Sequence, residues 1–229
     1  MTFRPLLLAG LLVGLTSAAH AGRPLITEDA GVLDARDCEL ELVGSRERAG
    51  GDLPTVRGAS AQLGCGVGLS TQVALLVGRA RADGERADVL ALVGKTALRT
   101  LTDTQGGAVI AWSVGGERSG GSFKHETTEL KAVYTQPVDQ WLLHANLGWT
   151  RSESARQNST LWSVAAERTG LGPFDAMAEV AGDDRDEPWL NAGLRWTAIA
   201  DRLFVDASYG VQMNSARARL ATIGLKIAF

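Results

Sequence analysis

The sequence predicts an all-β protein, a transmembrane antiparallel up-and-down β-barrel of about twelve strands, preceded by a signal peptide and destined for the bacterial outer membrane. Three observations predict it. Runs of ten to twelve residues with period-two alternation recur twelve times along the chain, separated by turn residues, and each is long enough to cross a bilayer at the usual strand tilt. The final run, Leu220–Phe229, places Ala221, Ile223, Leu225, Ile227 and Phe229 on one face and Leu220, Thr222, Gly224, Lys226 and Ala228 on the other. Lipid-facing and lumen-facing residues alternate in this way along membrane barrels. The start of the chain has the anatomy of an export signal.

That signal comes first in the chain. Met1-Thr2-Phe3-Arg4 supplies a positive head, Pro5 to Leu15 is almost wholly apolar, and Ala19-His20-Ala21 offers small residues for cleavage. The apolar run is well short of the roughly 20 residues a spanning helix needs. Residues 1–21 are therefore expected to be removed, leaving Gly22–Phe229. Residues 22–36 are expected to form a periplasmic segment that straps the first strand in place. Entry into the lumen as a plug is the alternative, although so short a stretch fills little space.

The barrel is expected over 37–229. Its strands are placed at 37–48, 55–66, 70–81, 87–99, 107–117, 126–136, 140–151, 158–168, 174–182, 188–199, 202–213 and 216–229. An even number puts both ends of the barrel on the periplasmic side. Gly66-Val67-Gly68, Pro137-Val138-Asp139, Gly170-Leu171-Gly172-Pro173 and Ala200-Asp201 read as tight periplasmic turns, because glycine and proline supply the backbone angles of a reversal. Asp83-Gly84-Glu85-Arg86, 118–126, 151–157 and 183–187 read as short, charged outer loops. Trp141, Leu143, Ala145, Leu147 and Trp149 share one face, with indoles at both ends, as in the aromatic girdles of membrane barrels. His144, Asn146 and Thr150 take the other face. The terminal Phe229 resembles the signature read by the barrel-assembly machinery, an expected partner during biogenesis, as is outer-membrane lipid afterwards.

Cys38 and Cys65 are the only cysteines. A first hairpin folded about Gly50-Gly51-Asp52-Leu53 sets Cys38 opposite Cys65, Leu40 opposite Leu63 and Leu42 opposite Ala61. Apolar residues then stay on one face, which supports the register. An exported chain meets an oxidising compartment, so a cross-strand disulfide is expected.

Inward-facing polar residues gather in the second half: Glu129, Lys131, His144, Glu167, Asp175, Glu179, Arg195, Asp206 and Lys226. A hairpin centred on Arg185 sets Asp175 opposite Arg195 and Glu179 opposite Asn191. Charges in a narrow lumen must be paired or wet, since an unpaired buried charge costs several kcal/mol. The set reads first as a structural network across the lumen, and second as a polar path for a small solute. Small inward residues (Gly58, Ser60, Ala111, Ser113, Ser163, Ser208, Gly210) argue against a fully packed interior.

The stretch Arg23-Pro24-Leu25-Ile26-Thr27-Glu28-Asp29-Ala30-Gly31, running into Glu39-Leu40-Glu41, resembles the opening of a proteobacterial family labelled MetA-pathway of phenol degradation. Its members typically begin Arg-Pro-Leu-(Val/Ile)-Thr-(Asp/Glu)-Asp-Ala before a Leu-Glu strand. The resemblance covers about 20 residues, with strand rhythm and length beyond them. It implies an outer-membrane, transporter-like barrel associated in a few cases with aromatic catabolism, and it brings no catalytic motif.

Two classes are disfavoured. Net charge is −3, or −4 without Arg4, and no basic stripe suggests nucleic acid. No His, Cys and carboxylate cluster has metal-ligand spacing, so neither metal nor other cofactor is expected. An enzyme would have to draw on His144, Asn146 and Ser163, in the manner of outer-membrane phospholipases, but this facing turns His144 to the lumen and away from lipid. The reading that follows is a non-enzymatic barrel for passive passage of small, hydrophobic or aromatic solutes. The alternatives are a closed structural barrel and, behind it, a lipid-modifying enzyme.

Overall fold

A computed structural model describes residues 24–50, 54–214 and 217–229. The predicted signal peptide with its cleavage point, and the turn residues Gly51-Asp52-Leu53, lie outside them. Twelve strands follow in order: β1 Cys38–Arg48, β2 Thr55–Gly68, β3 Thr71–Ala82, β4 Glu85–Arg99, β5 Gly107–Arg118, β6 Lys124–Val138, β7 Trp141–Ser152, β8 Gln157–Leu171, β9 Phe174–Asp183, β10 Trp189–Ile199, β11 Leu203–Gln212 and β12 Arg219–Ala228. Each pairs antiparallel with its neighbours in sequence, and β12 returns to β1, so the sheet is a closed barrel. Phe229 seals the seam from just beyond β12: its N–H donates to the Cys38 carbonyl (2.9 Å) and its carbonyl accepts from the Cys38 N–H (2.8 Å).

The alternation seen in sequence sets the two faces around the ring, and the register shifts fall near strand ends, at Gly66/Gly68, Ala97/Arg99, Gly115/Gly116, Arg168/Leu171 and Thr197/Ile199. Leu63, Leu75, Leu92, Val114, Leu130, Leu147, Val164, Leu194 and Ile223 are exposed on the outside, forming the apolar belt that a bilayer would cover. Trp141, Phe174 and Trp196 lie at the periplasmic ends of their strands, and Trp149 and Phe123 near the outer ends. Among the described residues no helix is long and apolar enough to cross a membrane. The crossing is made by strands, and the barrel is of the outer-membrane type.

Strand ends shift from the expected ones where local chemistry favours it. The β2–β3 reversal falls on Leu69-Ser70, both with positive φ (51° and 52°), the two-residue geometry that suits strand twist. It does not fall on Gly66-Val67-Gly68. Gly66 serves a different purpose, since a Cβ there would run into the carbonyls of Leu33 and Asp34. Pro137 and Val138 likewise belong to β6, the turn residue with positive φ being Asp139. β6 begins at Lys124, so His125 sits in a strand, and β12 begins at Arg219, its expected opening at 216 lying outside the described residues.

The first hairpin has the expected register, with Cys38 against Cys65, Leu40 against Leu63 and Leu42 against Ala61. Cys38 and Cys65 are disulfide-bonded across 27 residues. A loop of that length corresponds to about 3–4 kcal/mol of unfolded-state restriction. Replacing both cysteines by serine is expected to lower stability by up to that amount in denaturant titrations of the barrel in micelles. Reductant should bring the unaltered chain to the same midpoint.

Candidate functional site in the lumen

Residues 24–34 do not strap the periplasmic rim. They enter the barrel, and their contacts run from β2 and β3 across to β9 and β10. Arg36 and Asp37 anchor the entry, the Arg36 N–H donating to the Gly66 carbonyl (3.0 Å) and the Gly66 N–H to the Asp37 carbonyl (2.9 Å). The missing side chain of Gly66 lets the segment turn inward. The expectation of a periplasmic strap fails because the inward faces of the strands carry partners for the N–H groups of Ile26, Thr27, Glu28, Ala30 and Leu33, for the Glu28 and Asp29 carbonyls, and for both carboxylates as ion pairs.

Those partners follow the sequence of the segment. Pro24 packs on Gly193 of β10, where a Cβ would collide with its ring. Leu25, 5% exposed, sits against Ala165 and Met177. Glu179 on β9 accepts from the Ile26 N–H (2.7 Å), the Thr27 N–H (2.6 Å) and the Thr27 hydroxyl (2.5 Å). The Asn191 amide also donates to it, at 2.8 Å. The Glu28 backbone is read in both directions by Asn146, which accepts from its N–H (2.7 Å) and donates to its carbonyl (2.9 Å). The Glu28 carboxylate meets Lys131 Nζ at 2.7 Å, and Lys131 also holds Glu129 at 2.8 Å. Lys95 donates to the Asp29 carbonyl (2.8 Å) and lies 3.5 Å from its carboxylate. Ala30 fills an apolar socket of Val109, Ala111 and Val133, its N–H donating to the Thr135 hydroxyl at 2.8 Å. Finally, the Leu33 N–H donates to Gln72 at 2.7 Å.

The segment lies outside the barrel sheet, so backbone amides that the ladder does not serve need other partners. Glutamate, asparagine, threonine and glutamine at inward positions supply them here. The Thr135 hydroxyl, accepting from Ala30, is left to donate to His144 Nδ1 (2.9 Å), which suits a ring protonated at Nε2. That nitrogen faces Glu167 across 3.9 Å.

Glu129, Lys131, His144, Glu167, Asp175, Glu179, Arg195, Asp206 and Lys226 all point inward, but they form separate groups. Glu129 and Lys131 join Glu28, and Glu179 joins Thr27. Arg195 pairs with Glu167 (2.8 Å) and lies 3.8 Å from Asp175, its partner in register. Lys226 pairs with Glu39 at 2.6 Å. Asp206 is buried against the bare backbone of Gly224. Charged and polar groups are not confined to the second half of the chain: Glu39, Glu41 and Lys95, with the amides Gln62 and Gln72, are buried inward residues of β1–β4. Their parity marks them, Lys95 falling in step with Val89, Ala91 and Val93.

Those β4 residues belong to a different wall. Val56, Ala74, Leu76, Ala80, Val89, Ala91 and Val93 form an apolar cluster on the inner face of β2–β4, extending outward from the level of the segment. The outer part of this side of the lumen is thus aliphatic, while charged and polar groups line its periplasmic end and the opposite side. Ser163 lies opposite Asn146 in register, yet Asn146 is committed to Glu28 and His144 to Thr135, so no serine, histidine and asparagine relay connects them.

Proteins of known structure share this fold. A KdgM porin in complex with disordered oligogalacturonate superimposes with a TM-score of 0.62 at 9% identity, over 83% of this chain and 99% of that one. The COG4313 outer membrane channel from Pseudomonas putida F1 gives 0.55 at 9% identity, over 88% and 98%. Outer membrane phospholipase A from Escherichia coli gives 0.51 at 8%, over 96% and 97%. Such identities speak for the fold alone, a fold shared by channels and an enzyme. No curated protein matches by sequence. A family model described as "Uncharacterised conserved protein UCP029691" matches residues 9–229. That description differs from the phenol-degradation label which Arg23–Gly31 resembles, and what remains of the resemblance is the outer-membrane barrel.

Proposed function

The chain belongs to the uncharacterised conserved protein family UCP029691, and we propose that it is a passive outer-membrane channel for small neutral or cationic solutes with hydrophobic or aromatic character. The carrying observation is the two-sided lumen: the outer part of the β2–β4 inner face is aliphatic, charged side chains gather on β6–β12 and towards the periplasmic ends of β1–β4, and inward side chains hold the segment that crosses between them. An amphipathic solute finds both surfaces it needs along such a path.

Charge sets the preference. Glu39, Glu41, Glu129, Glu167, Asp175, Glu179 and Asp206 outnumber Lys95, Lys131, Arg195 and Lys226 on the inner wall, and the segment adds Glu28 and Asp29. A lumen with excess negative charge concentrates cations and repels polyanions. In planar bilayers under a potassium chloride gradient, the reversal potential is expected to show cation selectivity. The crossing segment favours a second reading, a closed structural barrel. A silent membrane, with the barrel shown folded by heat-modifiable gel mobility, would establish that reading and remove the first, and anion selectivity would also count against the solute class named here.

A further inference from the structure

We propose that the outward face of β1–β5, at the outer rim, binds the phosphorylated headgroup of an acyl lipid in the surrounding leaflet. Arg46, Arg57, Arg81 and Arg86 stand directly beside one another in register on four consecutive strands. Each lies within three residues of the outer end of its strand. All are exposed, and their parity is that of the lipid-facing Leu63, Leu75 and Leu92. One step further in, Arg79 and Arg118 share the carboxylate of Asp88, at 2.6 and 2.8 Å.

A row of like charges across neighbouring strands is unfavourable by itself. Among the described residues Arg46, Arg57, Arg81 and Arg86 have no acidic partner to relieve it. Two other rim arginines do have carboxylates within ion-pair distance: Arg151 holds Glu153 at 2.8 Å, and Arg185 lies 3.7 Å from Asp184, whereas Arg48 and Arg219, opposite each other beside Arg46, extend the row that is unpaired among the described residues. The row needs an anion, and guanidinium forks match phosphate oxygens in pairs. At the usual strand spacing it is about 14 Å long, room for a headgroup carrying more than one phosphate.

The surroundings specify a lipid as the source of that phosphate. An open cleft of about 930 Å³ lies among Arg57, Ala59, Arg79, Arg81, Arg86 and the Asp83-Gly84 turn. Directly towards the membrane centre on the same face come Val77 and Leu75 of β3 and Leu90 and Leu92 of β4, all exposed. Guanidinia above aliphatic side chains complement a phosphate above acyl chains.

The test is native mass spectrometry of the folded full-length barrel titrated with bis-phosphorylated lipid A, with dephosphorylated lipid A, and with inorganic phosphate as competitor. Tight binding is expected for the phosphorylated lipid, with at least about ten-fold weaker binding of the dephosphorylated one, as the loss of charge-assisted hydrogen bonds implies. Combining R57Q, R81Q and R86Q should weaken the phosphorylated lipid to the same degree, while R156Q on the β7–β8 turn leaves it unchanged. Heat-modifiable mobility verifies that each variant is folded. Equal binding of both lipids, unchanged binding in the triple variant, or displacement by inorganic phosphate would each overturn the proposal. If the triple variant does not fold, the two lipids on the unaltered barrel still decide it.

Discussion

Deleting residues 24–34 is expected to raise single-channel conductance several-fold, the largest functional change that any alteration of this chain should produce. The deletion keeps Ala35, Arg36 and Asp37, and with them the backbone bonds to Gly66 that anchor the start of β1. It removes everything that crosses from β3 to β10. No strand is lost, and all twelve pairings remain, so the wall has no reason to collapse. The freed inward groups, Glu179, Asn146, Thr135 and Gln72, exchange the segment's amides for water, which a wide lumen can supply. Planar-bilayer recordings of the two forms make the comparison. A milder alteration serves as a check that keeps the whole chain: in Gly193→Ala the new methyl group displaces Pro24, and intermediate conductance or flicker is expected. Equal conductance in all three forms would mean that solutes do not pass where the segment lies.

The largest loss of stability is expected from Lys131→Met. Lys131 stands between two carboxylates, Glu28 on the segment and Glu129 on its own strand, at 2.7 and 2.8 Å. All three groups are buried, Glu28 with only 1% of its surface exposed. Methionine keeps the unbranched stem out to Cε and removes the ammonium group, leaving two carboxylates facing each other away from water. Breaking a buried pair in this way costs about 3–5 kcal/mol. Denaturant titration in micelles should show it, and limited proteolysis should show residues 24–34 released. Adding Glu28→Gln and Glu129→Gln to Lys131→Met should recover most of the loss, because the cost lies in the stranded charges more than in the missing bond. A triple variant as unstable as the single one would place the cost in packing. Gly148 offers one such source, since Lys131 lies across its bare backbone.

The barrel was legible in the sequence because period-two alternation is enforced twice, by lipid outside and by lumen inside. A strand shifted by one residue would turn every side chain to the wrong face. That is why Asp175 against Arg195 and Glu179 against Asn191 emerge correctly from turn positions alone. Turn residues were less legible. Gly66 looks like a reversal glycine in sequence and proves to be the gap through which the N-terminal segment turns into the barrel.

The segment itself has no periodicity, because nothing repeats along it: Leu25 and Ala30 fit apolar sockets, while Thr27, Glu28 and Asp29 meet different strands. Its meaning lay in matching it to inward residues more than a hundred positions away, such as Asn146 and Glu179. No local pattern carries that information. Alternation did identify the partners as inward, but it could not say what they hold.

The anchoring of the segment beside the seam has a consequence for biogenesis. Asp37 bonds to Gly66, while its neighbour Cys38 bonds to Phe229, so the stretch that fills the barrel leads directly into the strand that must find the last one. Zipping β12 onto β1 encloses whatever already lies between the sheet edges. A barrel that closes with its leading stretch inside is finished in one event. If it closes first, the free end must be threaded afterwards through the periplasmic mouth, past the carboxylates that later hold it. Order of closure, and not sequence alone, then decides whether a newly assembled molecule starts its life occupied or vacant.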